Sequence, residues 1–200
     1  TPFCYALLPA HLLTCLMKNP WSTLPLKKDP MLFNLEEASI DDLSSLLHGF
    51  RKEKNREHGL LLHAYLCEIG MDSHKALGNH LISMLVEITS VSDARQVFDI
   101  LKFRSEWSWY VLIKGYIECC MPNHAFDLYD SMMLDNDGIC PAGHTYVALL
   151  KTCGRLKDVE RGTQLHACIA RQGLLEKDPF IGSTLVDMYC KCDSFVKAQE

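Results

Sequence analysis

The stretch Gly59-Leu60-Leu61-Leu62-His63-Ala64 returns 103 residues later as Gly162-Thr163-Gln164-Leu165-His166-Ala167. The match runs without a gap back to Leu46-Leu47 against Leu149-Leu150, and forward to Gly70 against Gly173. A spacing of 103 is three periods of about 34, the length of a helical-hairpin repeat, so two further copies belong in between. Five apolar doublets supply them: Leu46-Leu47, Leu81-Ile82, Leu112-Ile113, Leu149-Leu150 and Leu185-Val186, spaced by 35, 31, 37 and 36 residues. Twelve residues after each doublet comes a small residue: Gly59, Ala94, Ala125, Gly162 and Ala198. Four residues further on, each complete unit carries a ring: His63, Phe98, Tyr129 and His166.

These phases dictate one physical unit. Leu81, Ile82 and Leu85 share one face of a first helix. Ala94, Val97, Phe98 and Leu101 form the apolar stripe of a second. The small residue opening the second stripe lets two helices approach closely. A lone hairpin leaves an apolar face uncovered, so hairpins must stack. The expected architecture is all-α: antiparallel hairpins stacked into a right-handed superhelical solenoid. Gly70, Gly138 and Gly173 fall where second helices need a left-handed end. Asp93 and Asn123 stand near second-helix starts, where an acceptor side chain can cap free amides.

Residues 1–39 do not share the repeat. Pro20, Pro25 and Pro30 interrupt any long helix there, and the segment reads as an irregular lead-in. With Lys18, Lys27 and Lys28 and no acid before Asp29, it is weakly like an organellar transit peptide, although arginine is absent before Arg51. The start at Thr1 and the stop within a helical pattern at Glu200 suggest a fragment.

Composition narrows the function. The chain is 48% apolar and 22% charged, ordinary for a globular protein. Its net charge of −5 argues against indiscriminate phosphate binding, and less against binding confined to a groove. The ten cysteines are scattered, several on apolar stripes, and no Cys-x-x-Cys spacing occurs, so structural thiols rather than a metal site are expected. No apolar run is long enough to span a membrane, and no cofactor motif appears.

Several segments resemble the pentatricopeptide-repeat family. Trp109-Tyr110-Val111-Leu112-Ile113-Lys114-Gly115-Tyr116 with Ala125-Phe126-Asp127-Leu128-Tyr129 looks like the standard repeat. Asp93-Ala94-Arg95-Gln96-Val97-Phe98-Asp99 looks like part of the short variant, as does Gly182-Ser183-Thr184-Leu185-Val186-Asp187-Met188-Tyr189-Cys190-Lys191-Cys192. Leu149-Leu150-Lys151-Thr152-Cys153 with Leu165-His166-Ala167 looks like the long variant. The resemblance divides the chain into a long repeat at 40–74, a short one at 75–105 and a standard one at 106–142. A second long repeat follows at 143–178, and an incomplete short one at 179–200. That order resembles the mixed long, short and standard subclass of plant organelles. The turn at Asn136 and Asp137 is about two residues longer than the standard unit, and the first long unit carries Gly49-Phe50-Arg51 where a cysteine is usual.

The resemblance implies one RNA base per repeat, read from the first helix and from the unit's end. The readers are then Asn79 with Ser105, Tyr110 with Ala142, and Ser183. In the long units they are Ser44 with His74 and Val147 with Asp178. The amide of Asn79 offers a donor and an acceptor to a base edge and suits a pyrimidine. Tyr110 suits stacking more than discrimination, and Val147 cannot hydrogen-bond through its side chain. The implied role is a non-enzymatic adaptor for single-stranded RNA in a plastid or mitochondrion, with a lean to the chloroplast, working with RNA-processing or editing proteins. The deaminase signature His-x-Glu with Pro-Cys-x-x-Cys, found in editing members, does not occur in these residues. The alternative class is a protein–protein scaffold, which the net acidic charge fits.

Overall fold

The computed structural model describes residue 35, residues 38–135 and residues 138–199. The lead-in with Pro20, Pro25 and Pro30 therefore lies outside the described residues, as do Asn136 and Asp137. Ten helices and no strand occur among the described residues. Contacts divide the chain into two compact units, Thr1–Arg104 and Ser105–Glu200.

The first unit holds α1 (Ile40–Glu53), α2 (Arg56–Glu68), α3 (Lys75–Glu87) and α4 (Val91–Ile100). α1 pairs with α2, α3 pairs with α4, and the two first helices α1 and α3 pack on each other. The second unit holds α5 (Glu106–Glu118), α6 (Pro122–Leu134), α7 (Gly143–Leu156), α8 (Val159–Arg171), α9 (Pro179–Lys191) and α10 (Phe195–Gln199). There α5 packs on α7 and α7 on α9, so first helices again form one layer, with second helices beside them.

The doublets fill these layers. Leu81, Ile82, Leu112, Ile113, Leu149 and Leu150 are all fully buried. Two members depart from the expected pattern. Leu46 is half-buried and Val186 is 46% exposed. Val186 has no further first helix against it among the described residues. The small residues also act where expected, but across a different contact. A Cβ on Gly59 would stand 2.6 Å from Met84 Sδ, and one on Gly162 would stand 2.5 Å from Met188 Sδ. Both methionines belong to the first helix of the following hairpin. The close approach therefore joins neighbouring hairpins rather than the two arms of one.

The hairpin turns repeat as strictly as the helices. Lys54, Thr89, Cys120, Lys157 and Asp193 all have positive φ, between 52° and 63°. Each is followed by an amide donating to the carbonyl five residues before it: Asn55 to Phe50, Ser90 to Leu85, Met121 to Tyr116, Asp158 to Cys153 and Ser194 to Tyr189. This is the Schellman ending of a helix, which ordinarily uses glycine. First helices here end on side-chain-bearing residues, whereas Gly70 and Gly173 follow second-helix ends with positive φ as expected; Gly138 also has positive φ, but α6 ends before it on Asp135 in extended backbone.

Capping corrects one expectation. The N-caps of α4 and α6 are Ser90 and Met121, neither with a side-chain cap bond. Asp93 instead accepts a short hydrogen bond from the Ser90 hydroxyl, with both residues buried. Side-chain caps occur at Ser39, Asn55, Ser105, Asp158 and Asp178. The cysteines also differ from expectation. Of those described, Cys153 alone is buried, and burial pushes its thiol up to about 12. Cys119, Cys120, Cys140 and Cys190 are exposed, because most of them sit at or beside hairpin turns rather than on the apolar stripes.

Two stability outcomes follow. Replacing Cys120 by Gly removes the cost of a left-handed side-chain residue at an exposed site, so stability should rise by about 1 kcal/mol. A thermal melt should then shift upward by about 2–4 °C, and a melt shifted downward would contradict it. His63 is buried in α2, and burial holds its imidazole below the ordinary 6.5 despite opposing pulls from Asp93 and Asp72. The unfolded chain then takes up a proton near 6.5 while the fold resists it. Stability due to this group is complete above that pH and is lost as pH falls below it. Melting temperature should drop between pH 7 and pH 5.5, and His63→Gln should flatten that drop.

Candidate nucleic-acid interface

Each first helix begins at an equivalent N-cap: Ser39, His74, Ser105, Ala142 and Asp178. Their spacings are 35, 31, 37 and 36, the same as those of the doublets. The four expected end-of-unit partners, His74, Ser105, Ala142 and Asp178, are thus the N-caps of the helices that follow. The expected first-helix readers Ser44, Asn79, Tyr110, Val147 and Ser183 each stand five residues beyond an N-cap.

Their side chains differ in what they touch. Asn79 is half-buried and its amide donates to the Lys75 carbonyl at 2.7 Å. Ser105 accepts from the Ser108 amide at 3.1 Å, so its hydroxyl caps α5. Asn79 and Ser105 belong to different compact units and are described separately. Ser183 is exposed and donates to the Phe180 carbonyl at 3.0 Å. Asp178 accepts from the Phe180 amide at 2.9 Å, while His74 caps without a side-chain bond. Val147 and Ser44 are half-buried.

Ala142 is tied to α5 through Glu106, a residue the sequence reading overlooked, while Tyr110 touches its neighbour His144. Glu106 Oε1 accepts from the Ala142 amide at 3.3 Å and from Thr145 Oγ1 at 3.3 Å, and lies 3.1 Å from His144 Nε2. The Tyr110 ring meets His144 edge-on at 4.2 Å between centroids and Trp107 at 5.2 Å.

A second feature emerges on the same helix face. Residues at N-cap+5, +9 and +13 are i, i+4 and i+8, which line up along a helix. In the second unit these triplets are Tyr110, Lys114 and Glu118; Val147, Lys151 and Arg155; and Ser183, Asp187 and Lys191. The +9 and +13 residues line an open groove of about 360 Å³ with Ile117 and Ala148. Lys114 pairs with Glu118 at 3.3 Å and Lys191 with Asp187 at 2.7 Å. Lys151 and Arg155 are exposed, with Arg155 donating to Thr152 Oγ1 at 3.2 Å. Four cations thus face two carboxylates, in a chain of net charge −5. Sequence reasoning missed this stripe because charge was summed over the chain. Reading it at a fixed offset from each N-cap would have found it.

A model of the PPR repeat matches residues 107–136, the span of the hairpin formed by α5 and α6. The chain carries a pentatricopeptide repeat. Over 172 residues it is 30% identical to a mitochondrial pentatricopeptide repeat-containing protein of Arabidopsis thaliana, covering 84% of this chain and 16% of that protein. A second Arabidopsis thaliana protein named for the same repeat is 37% identical over 123 residues, covering 62% of this chain and 22% of the relative. A chloroplastic one is 28% identical over 169 residues, covering 84% of this chain and 18% of the relative. The chain thus spans about a fifth of the length of the relatives it matches.

Among the described residues, no group of three or more His, Cys, Asp or Glu could hold a metal ion. No described helix is long and apolar enough to cross a membrane. One residue before the matched repeat, Glu106 ties the start of α5 to the start of α7. Glu106→Ala should cost about 1 kcal/mol by leaving the Ala142 amide and Thr145 hydroxyl without their acceptor. Urea unfolding checks this, and an unchanged midpoint would show that the carboxylate contributes nothing to packing.

Proposed function

We propose that this pentatricopeptide-repeat chain holds single-stranded RNA along the N-cap+5/+9/+13 stripe of its first helices, as part of a sequence-selective, non-enzymatic adaptor in organellar RNA metabolism. The observation that carries the reading is that stripe. Candidate readers and a cation-rich groove share one helix face, at an offset set by the same N-caps. The +5 residues are placed to address bases, one per repeat, and the +9 and +13 cations to neutralise phosphates beside them. Asn79 is the +5 residue best suited to hydrogen-bond reading, for a pyrimidine. The unequal N-cap spacings support the mixed long, short and standard subclass. Relatives named mitochondrial and chloroplastic support an organellar site of action in either compartment. Editing, splicing, end protection and translation are all tasks for such an adaptor.

Two variants separate the phosphate and base contributions. Lys151→Glu with Arg155→Glu should weaken binding of every single-stranded RNA alike. It should also reduce the slope of log affinity against log salt by about 1.4, since each phosphate contributes about 0.7 in single strands. Asn79→Ala should instead cost about 1–2 kcal/mol at one pyrimidine position and leave the salt slope unchanged. Fluorescence anisotropy across a salt series measures both. RNA binding untouched by the double charge reversal and by Asn79→Ala would remove this reading and leave the protein–protein scaffold in its place.

A further inference from the structure

The standard repeat beginning at Glu106 is built unlike a hydrogen-bonding reader. Three rings, Trp107, Tyr110 and His144, touch one another in a closed triangle, with centroids 5.2, 4.2 and 5.9 Å apart. Their planes meet at 49°, 76° and 61°, so no two are parallel. A planar base inserted between two rings needs parallel faces about 7 Å apart, two van der Waals contacts of about 3.5 Å. Here the space beside Tyr110 is already filled by His144.

Glu106 keeps it filled. One carboxylate oxygen accepts from the Ala142 amide and from the Thr145 hydroxyl, and lies 3.1 Å from His144 Nε2. All three partners open the next first helix, so two hydrogen bonds and the close approach of the carboxylate to His144 place that ring over Tyr110. Ala142 offers no side-chain hydrogen bond, and its amide is engaged. The Tyr110 hydroxyl both donates and accepts, so by itself it distinguishes bases poorly. Trp107, in the first turn of α5, is 46% accessible. An indole face stacks on any base, because every base has a π-face.

We propose that this repeat is a base-tolerant station: one nucleotide stacks on Trp107 and all four bases are accepted, because Glu106 and His144 hold the slot beside Tyr110 shut. The inference rests on the RNA reading above. It assigns Trp107 a binding role, and Glu106 and His144 a positioning role that sets where the RNA is not read.

The test uses the whole chain and a randomised single-stranded RNA pool. Ultraviolet crosslinking with peptide mapping locates the nucleotide on Trp107, and four RNAs differing only there are then compared. The unmodified chain should bind all four within about twofold, and Trp107→Ala should weaken all four by about tenfold, the scale of one lost base–aromatic stack. Trp107→Phe should restore most of that loss. Ratios among the four RNAs do not depend on the folded fraction of a variant. Tyr110→Asn with Ala142→Ser should still show no preference while Glu106 and His144 are present. Adding Glu106→Gln and His144→Val should release a preference of fivefold or more. A fivefold preference at that nucleotide in the unmodified chain would overturn the inference, and so would affinity indifferent to Trp107→Ala. Either result leaves the RNA reading intact, whereas failure to recover any RNA from the pool removes both.

Discussion

Burial of the apolar doublets between consecutive first helices is the contact on which the rest depends. Helices of thirteen residues are marginal on their own in water. A single hairpin leaves its doublet facing solvent. Packing one first helix on the next takes residues such as Leu81, Ile82, Leu149 and Leu150 fully out of water, each contributing about 1.5–3 kcal/mol. The small residues Gly59 and Gly162 serve a neighbouring contact, from a second helix to the following first helix, where a larger side chain would press on Met84 or Met188. Within each unit hairpin length can vary while the contact between first helices is kept, as the doublet spacings of 35, 37 and 36 show.

That layer fixes more than the core. If the doublet of a first helix must face its neighbours, residues at +5, +9 and +13 from the N-cap are turned together onto another face. Chemistry then needs only polar or charged side chains at those offsets. The second unit supplies Lys114, Lys151, Arg155 and Lys191, whereas the second hairpin of the first unit has Ser83 and Glu87 at the same offsets. The net charge of −5 is therefore a poor guide to the groove, because acids elsewhere outweigh a local cation excess.

The hairpin turns show how a repeat holds its form where composition does not demand it. Lys54, Thr89, Cys120, Lys157 and Asp193 share no side-chain chemistry, yet all adopt the left-handed conformation. Each is stabilised by a bond from the next amide back to its helix, with helix packing holding the turn. No residue pattern announces such a position. The second-helix ends marked by Gly70 and Gly173 were legible because glycine is the residue that pays least for that backbone.

By itself the sequence determined the period and the helical phase that set Asn79, Tyr110 and Ser183 two residues before their doublets. These rest on local regularities: apolar residues three and four apart, small residues at a fixed offset, and glycine at helix ends. The burial of Leu81 and Ile82 could be read in that way. Tertiary structure decided which partners those regularities meet. Glu106 reaches Ala142 and Thr145 across 36 and 39 residues of chain, and the small residues approach the following hairpin rather than their own. It also decided that Lys151 and Arg155 share a groove with Lys114 and Lys191. The physical reason is common to all of these: a helix face is set by its own periodicity, but what lies against it depends on the packing of another helix more than thirty residues away.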